Sequence, residues 1–236
     1  MRKISVFKKL FLIGRPAAGK SEIIDYLKKV SPEERELKFH IGNFRELDDF
    51  PVIWSWFEED AILSEMSKPR LHTDFKGYFK YEYLWNVLIK KLELDYKKSS
   101  VESGTNTYII EFSRGSEHGG FREASSQFSK AILDEAAVLY INVSFEESMR
   151  KNRKRYNPKK PYSILEHSLP DKKLEKLYKD SDWEEFSSGD PDYLSVNNVR
   201  LPYVVFENND DITTEGGAIL GERLKTVLGR LWDLYK

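Results

Sequence analysis

Short apolar runs alternate along the chain with longer segments in which apolar residues recur at helical spacing. The apolar runs predict five strands, at residues 10–13, 37–41, 108–112, 137–143 and 202–206. Asn197-Asn198 predicts a tight hairpin that leads into the last of these strands. Because strands that alternate with helical segments favour crossover connections, we expect an α/β fold: a five-stranded, mostly parallel sheet with helices on both faces.

The helical segments predict how the chain is organised around this sheet. Ile23, Ile24 and Leu27 share one face of a first helix, residues 121–136 predict another, and residues 219–235 predict a closing helix. Residues 43–98 are rich in aromatic and charged side chains and predict further helices, with Pro51 as a first helical residue. We therefore expect one domain, 1–236, with a helical insertion at 43–100.

Composition narrows the class of protein. Apolar residues make up 40% and charged residues 33%, which excludes wholesale disorder. The 38 basic and 39 acidic residues give a net charge of −1, so no global attraction to nucleic acid or anionic membranes is expected. The absence of cysteine excludes disulfides, Cys-ligated metals and thiol catalysis. No stretch approaches the roughly 18 apolar residues of a membrane span, and the apolar run near the N-terminus is too short for a signal peptide, so a cytoplasmic location is expected.

A phosphate-binding motif follows the first predicted strand. Residues 14–21 match G-x-x-x-x-G-K-[ST] at every fixed position, between an apolar strand and an amphipathic helix. Backbone N–H groups of such a loop surround phosphates, Lys20 would reach the β- and γ-phosphates, and the Ser21 hydroxyl would bind Mg²⁺. The predicted nucleotide-binding set is Gly14, Arg15, Pro16, Ala17, Ala18, Gly19, Lys20 and Ser21.

Carboxylates follow two of the predicted strands. Glu111 ends an apolar run, where an acid would hold Mg²⁺ or its waters, or accept a proton from the hydroxyl of an acceptor; alternatively it is an ordinary strand-end residue. Asp48 and Asp49, with Arg45 nearby, follow the second strand, and either aspartate could be the base. The same stretch could equally be a structural loop with solvated charges.

Aromatic residues and one histidine are candidates for contacts with a small acceptor. Trp54 belongs to a group of Trp, Tyr and Phe residues within the insertion, and such rings can stack on a base or can simply pack the inserted helices. His118 lies in a polar, glycine-rich loop, where it could contact substrate or be a surface group.

A basic segment follows the fourth strand. Residues 150–160 contain seven Lys or Arg and no acid, and Ser144 with Glu147 forms a capping box that predicts a helix there. Three interpretations remain open. The arginines could close over a triphosphate, the segment could bind a polyanion such as RNA, or it could be a solvated helix face.

These motifs together resemble the P-loop kinases of small molecules, above all the adenylate kinase and nucleoside monophosphate kinase group. The loop resembles that group's G-x-P-G-x-G-K form, with Ala17 where a glycine is usual, and residues 110–114 resemble its strand ending in an acid, an aromatic residue and an arginine. The resemblance implies that Arg114 contacts the phosphate of the acceptor and that Asn208 lies in the loop over the adenine ring. It also implies a lid region, 144–182, in which Arg150, Arg153 and Arg155 clamp phosphates.

The preferred hypothesis is phosphotransfer from ATP·Mg²⁺ to a small acceptor, a nucleoside or a nucleoside monophosphate. Its predicted catalytic residues are Lys20, Glu111, Asp49, Arg150 and Arg153. One alternative is a P-loop NTPase or switch without an acceptor, although neither [NT]-K-x-D nor L-S-G-G-Q occurs in the sequence. The other is a nucleic-acid-binding or -modifying protein that uses the basic segment.

Overall fold

A mostly parallel β-sheet lies at the centre of this α/β fold. The computed structural model describes residues 6–100, 104–157, 159 and 168–236. Six strands in this part of the chain form one sheet in the order β2-β3-β1-β4-β6-β5, and only the β5–β6 pair is antiparallel. The strands are β1 (Lys9–Gly14), β2 (Phe44–Asp48), β3 (Thr107–Phe112), β4 (Ala136–Asn142), β5 (Tyr193–Val196) and β6 (Val199–Glu207).

Helices cover both faces of the sheet. They are α1 (Lys20–Lys29), α2 (Pro32–Phe39), α3 (Phe50–Glu65), α4 (Tyr83–Ser99), α5 (Gly120–Ser126), α6 (Lys130–Leu133), α7 (Phe145–Arg155), α8 (Asp171–Tyr178), α9 (Trp183–Ser187), α10 (Ile212–Glu215) and α11 (Gly217–Tyr235). One apolar core joins α1, α2, α10 and α11 to the sheet, and a second core joins α4, α5, α6 and α9 to the opposite face. The protein is therefore a three-layer α/β structure.

The alternation of side chains along the strands produces these two cores. In β1, Leu10 and Leu12 enter the first core, whereas Phe11 and Ile13 enter the second. All four side chains are almost completely buried. This is the pattern of a central strand that is covered on both faces, and it explains why the strand reads as a continuous apolar run.

Two of the predicted elements are wrong, and within the described residues six strands rather than five form the sheet. Residues 37–41 include the end of a helix, because Ser31 caps α2 by accepting a hydrogen bond from Glu34 N (3.3 Å) and Pro32 begins it. The second strand is instead β2, an edge strand in which only Leu47 is buried, so it lacks an apolar run. The predicted helix 121–136 is two short helices, and β4 already begins at Ala136.

Other local predictions are confirmed. Asn197 and Asn198 both adopt left-handed backbone conformations (φ 50° and 63°) in the turn between β5 and β6. Ser144 caps α7 by accepting a hydrogen bond from Glu147 N (3.1 Å). In the described ranges, no helix combines the length and apolar character that crossing a membrane requires.

The connections between strands leave a crevice at the carboxyl ends of β1 and β3. The chain leaves β1 through α1 and α2 on one face of the sheet, and it leaves β3 through α5 and α6 on the other face. Adjacent loops that diverge in this way open the crevice in which α/β sheets bind ligands. The predicted insertion at 43–100 is not wholly helical: it contains the edge strand β2, followed by α3, α4 and the segment between them, which lie beside this crevice.

Candidate functional site

The glycine-rich loop, residues 14–21, connects β1 to α1 at the crevice. Gly19 has a φ of +109°, and a Cβ there would lie 2.4 Å from Thr213 Oγ1 and 2.7 Å from Asn208 Nδ2. Ala17 has a left-handed φ of +55°, at the position where the G-x-P-G-x-G-K form of the loop has glycine. Two residues of the loop therefore have positive φ, and Thr213 and Asn208 pack closely against it, as in a phosphate-binding loop.

Side chains from distant parts of the chain hold this loop in place. Asn208 Nδ2 donates to Ala18 O (2.8 Å), and Ser148 Oγ donates to Pro16 O (2.7 Å). The Arg15 guanidinium donates to the carbonyls of Tyr178 and Lys179, so it contacts the chain at the end of α8. Asn208 is completely buried, which corrects its predicted place over the adenine ring: it positions the loop.

Lys20 lies at the centre of the crevice with its ammonium group inside the protein. The side chain is 5% exposed, its Nζ is 3.8 Å from Glu111 Oε1, and it donates to Arg15 O (3.0 Å) and Ser113 Oγ (2.8 Å). Burial lowers the pKa of Lys20, while the Glu111 carboxylate opposes that shift. Ser113 was missed by the sequence analysis, because a single serine after a strand carries no distinguishing signal.

Asp48 and Glu111 form a carboxylate pair beside Lys20. They are register partners at the carboxyl ends of β2 and β3, which places both acids at the same edge of the sheet. Burial raises the pKa of Asp48 to about 8, with further contributions from the Glu111 and Asp49 carboxylates. Burial also raises the pKa of Glu111, against the opposing effect of Lys20. Such a pair resists full ionisation and retains a proton near neutral pH.

Asp49 and Arg114 form a buried ion pair. Their side chains are 5% and 1% exposed, and Arg114 Nη1 lies 2.7 Å from Asp49 Oδ2. The guanidinium also donates to Ser113 O (2.7 Å) and Trp85 O (3.2 Å). The Asp49 carboxylate, predicted as a base, is thus held by Arg114, and Arg114, predicted to contact a phosphate, is instead enclosed by protein.

Of the three α7 arginines predicted to clamp phosphates, Arg155 alone lines the crevice. Arg150 pairs with Glu147 and Asp211 (both 2.6 Å), and Arg153 pairs with Asp171 (2.6 Å), so neither lines the crevice. Arg155 does line it, and burial lowers the pKa of Arg155 while the Glu22 and Glu111 carboxylates oppose that shift. Helical spacing from Ser148, which contacts the loop, could have identified this face.

Lys151 and Lys154 of the same segment also line the crevice, whereas Lys159 is exposed. Lys151 is buried and donates to Thr213 Oγ1 (3.0 Å) beside Asp211 Oδ1 (2.8 Å), and Lys154 lines the crevice. Within the predicted lid region 144–182, residues 158 and 160–167, including Lys160, lie outside the described residues.

Two adjoining cavities occupy the crevice. The loop cleft, about 460 Å³, contains the glycine-rich loop together with Lys20, the carboxylate pair and Arg155. The aromatic cavity, about 550 Å³, lies between α3, α4 and α8. Both are lined by Phe50, Ile53, Leu169 and Tyr178, so the loop cleft continues into the aromatic cavity.

Two of the predicted acceptor-site residues line the aromatic cavity. Trp54 contributes its indole, whose Nε1 donates to Glu58 Oε1 (2.8 Å). His118 stacks on Trp85 with 4.0 Å between ring centroids, and burial, aided by Arg114, lowers the pKa of His118 to about 3, so the ring is uncharged. Arg45 is exposed within β2 and lines neither cavity, because it precedes the carboxyl end of the strand.

The loop cleft has groups suited to Mg²⁺ bound through a nucleotide. Ser21 and Glu111, the predicted metal ligands, both line it. Among residues that the structure describes, no group of three or more His, Asp or Glu side chains is arranged to hold a metal by itself. Mg²⁺ in nucleotide sites takes only one or two protein ligands together with phosphate oxygens and water, so the residues present fit such an ion.

Comparison with known proteins adds little to this geometry. No family model and no curated protein matches the chain. The solved structure of APE1195 has a TM-score of 0.42 and 15% identity, covering 95% of this chain and 98% of its own. That of TT1252 from Thermus thermophilus has a TM-score of 0.35 and 14% identity, covering 92% and 98%. Neither likeness carries an argument about function.

Proposed function

We propose that the protein transfers a phosphoryl group from ATP to a small acceptor bound in the aromatic cavity. The observation that carries the proposal is the continuity of two cavities with different chemistry. The loop cleft combines a curled glycine-rich loop with a buried lysine, and it opens directly into an apolar cavity of about 550 Å³. A kinase needs both sites in contact, whereas a nucleotide switch or simple NTPase needs only the first.

The loop cleft supplies groups suited to a triphosphate. In this P-loop interpretation, backbone N–H groups of the loop and the Lys20 ammonium bind phosphate oxygens, and Arg155 approaches them from α7. Ser21 and Glu111 would hold Mg²⁺, which when bound neutralises the charge that develops on the phosphates. Ser113 and Arg15 O keep Lys20 in place before the nucleotide arrives.

The carboxylate pair is suited to proton transfer. An acceptor hydroxyl that attacks the γ-phosphorus loses its proton as the new O–P bond forms and the bond to the ADP oxygen breaks. A base works best when its pKa lies near the operating pH, and the pKa of Asp48 is raised to about 8. We therefore assign the proton to Asp48, with Glu111 left to hold Mg²⁺, rather than to Asp49, whose carboxylate is paired with Arg114.

The basic segment gives little support to nucleic-acid binding. Arg150, Lys151 and Arg153 each pair with acids from other parts of the fold, within 2.6–2.8 Å. Their charges are therefore largely compensated, and they do not form the open basic patch that a polyanion requires.

The test is ADP release from ATP·Mg²⁺ with and without candidate acceptors, in wild-type protein and in Lys20→Ala. We expect acceptor-dependent ADP release that falls about 10²–10³-fold in Lys20→Ala, the scale for losing one preorganised charge-stabilising donor. Lys29→Ala, at the exposed end of the same helix, is the matched control and should retain wild-type turnover. Wild-type turnover in Lys20→Ala would refute the assignment, and slow hydrolysis that no acceptor stimulates would indicate an NTPase.

A further inference from the structure

We infer that the acceptor enters the aromatic cavity without a phosphate: it is a nucleoside-like molecule, a planar ring bearing hydroxyls, and not a nucleoside monophosphate. The inference rests on the proposed function, because the ligand of this cavity is an acceptor only if the protein transfers a phosphoryl group. It differs from what the family resemblance implies, and three features of the cavity carry it.

The first feature is the position of Arg114. The resemblance assigns this residue to the acceptor phosphate, yet its side chain is 1% exposed and lines neither cavity. Asp49 neutralises its charge at 2.7 Å, and backbone carbonyls of Ser113 and Trp85 take further N–H groups. Releasing the guanidinium for a ligand would leave a carboxylate buried without its partner, which is costly.

The second feature is the charge of the cavity wall. Three carboxylates, Glu58, Glu82 and Glu117, face two lysines, Lys173 and Lys176. Lys173 Nζ donates to Gly77 O (3.2 Å), and Lys176 Nζ lies 3.6 Å from Glu117 Oε1. His118, whose pKa is lowered to about 3, adds no charge. Three carboxylates and two lysines give the wall no excess of positive charge that would attract a dianionic phosphate.

The third feature is the apolar surface between these charges. Trp54, Phe57, Phe79 and Trp85 line the cavity, and rings of this kind stack on planar heteroaromatic groups. A volume of about 550 Å³ lies within the roughly 300–1,000 Å³ usual for small-molecule sites. The wall carboxylates can accept hydrogen bonds from ligand hydroxyls. A ring with hydroxyls satisfies these groups, whereas an added phosphate would compete with Gly77 O for Lys173 and with Glu117 for Lys176.

Direct binding tests this independently of catalysis. Trp54 and Trp85 line the cavity, so their fluorescence should respond when a ligand enters it. We would titrate full-length protein with adenosine, guanosine, cytidine, uridine and thymidine and with the 5′-monophosphate of each. The titrations would include a nonhydrolysable ATP analogue, which occupies the loop cleft. We expect at least one nucleoside to bind about tenfold or more tightly than its own monophosphate and to stimulate ADP release better.

A charge variant tests the reason for the preference. Glu82→Gln removes one negative charge from the wall but keeps a carbonyl acceptor, so it should tighten the binding of a monophosphate, relative to that of its own nucleoside, about threefold. Glu33→Gln, an exposed acid on α2 at the far side of the sheet, is the matched control and should change neither.

The outcomes separate this inference from the proposed function. Nucleosides that bind more tightly than monophosphates without stimulating ADP release would support the cavity assignment and contradict phosphotransfer. Monophosphates that bind as well or better, with ADP release, would support phosphotransfer and overturn the inference. Binding of neither series would also overturn it.

Discussion

The ion pair between Asp49 and Arg114 allows a direct test of whether the Asp49 carboxylate stabilises the fold or acts as the base. Both side chains are almost fully buried, with 2.7 Å between Arg114 Nη1 and Asp49 Oδ2. Asp49→Asn keeps the size and shape of the side chain but leaves the guanidinium buried without a counter-charge. If the aspartate is a partner for Arg114, as its geometry indicates, the substitution should reduce stability first and activity only as a consequence.

The expected loss follows from burial. Removing one partner of a buried ion pair costs about 3–5 kcal/mol, a large fraction of the roughly 5–15 kcal/mol that stabilises a typical domain. For a chain of this length each kcal/mol lowers Tm by about 2–4 °C, so we expect a decrease of about 6–20 °C. The matched control is Asp171→Asn, which breaks the Arg153–Asp171 pair at 2.6 Å; its side chains are 61% and 46% exposed. That surface pair should contribute less than about 1 kcal/mol.

The assay is urea unfolding of the wild type, of Asp49→Asn and Arg114→Met, of the double variant Asp49→Asn/Arg114→Met, and of the control Asp171→Asn. The double variant removes the unpaired charge, so it should recover part of the stability lost in Asp49→Asn, whereas independent roles would make the two losses add. A free energy of unfolding for Asp49→Asn within about 0.5 kcal/mol of wild type, or a loss no larger than that of Asp171→Asn, would refute this reasoning. Lost activity at undiminished stability would instead support Asp49 as the base.

Three further predictions concern neighbouring groups. Because the folded-state pKa of Asp48 is raised from 3.8 to about 8, the folded protein binds this proton more tightly, so wild-type stability should fall relative to Asp48→Asn from about pH 4 to about pH 8. Measured by urea unfolding at pH 5–8, the difference in unfolding free energy between wild type and Asp48→Asn should change by at most about 1.4 kcal/mol per pH unit. A difference that does not change with pH would contradict this prediction. Arg155→Gln should weaken ATP binding about tenfold or more in equilibrium titration, whereas Arg153→Gln should not. Equal effects of the two substitutions would contradict a specific contact between Arg155 and the nucleotide. Asp60 accepts hydrogen bonds from the backbone N–H of Leu71 (2.6 Å) and from Thr73 Oγ1 (2.6 Å), and these hold its pKa at about 2 despite burial. Asp60→Asn should therefore cost about 1–3 kcal/mol at pH 7, a difference that shrinks as the pH falls from about 4 toward 2; a constant difference would argue against the charge.

The elements that sequence reasoning predicted well are those whose signal is local. The β1 strand is covered on both faces, so four consecutive apolar residues identify it. Asn197-Asn198 identifies the turn between β5 and β6, because asparagine tolerates left-handed backbone. The missed strand β2 lies at the sheet edge with one buried residue, Leu47, and gives no such run. The apolar residues at 37–41 predicted a strand because Phe39 and Ile41 are buried, although Phe39 belongs to the buried face of α2.

The candidate site shows why counting charges along the sequence is a weaker guide than pairing them in space. Residues 150–160 look uncompensated because no acid lies among them, yet Arg150 meets Asp211 and Arg153 meets Asp171, acids brought in by α10 and α8. A charge that is paired within the fold is poorly available to a ligand, since the ligand must replace an interaction that already exists. Lys20 and Arg155, by contrast, are predicted basic residues that the fold does bring to the cleft, where burial lowers the pKa of each side chain while Glu111 opposes that shift. In the proposed function, Lys20 and the glycine-rich loop would bind the triphosphate, and the aromatic cavity beside them would bind the ring of the acceptor.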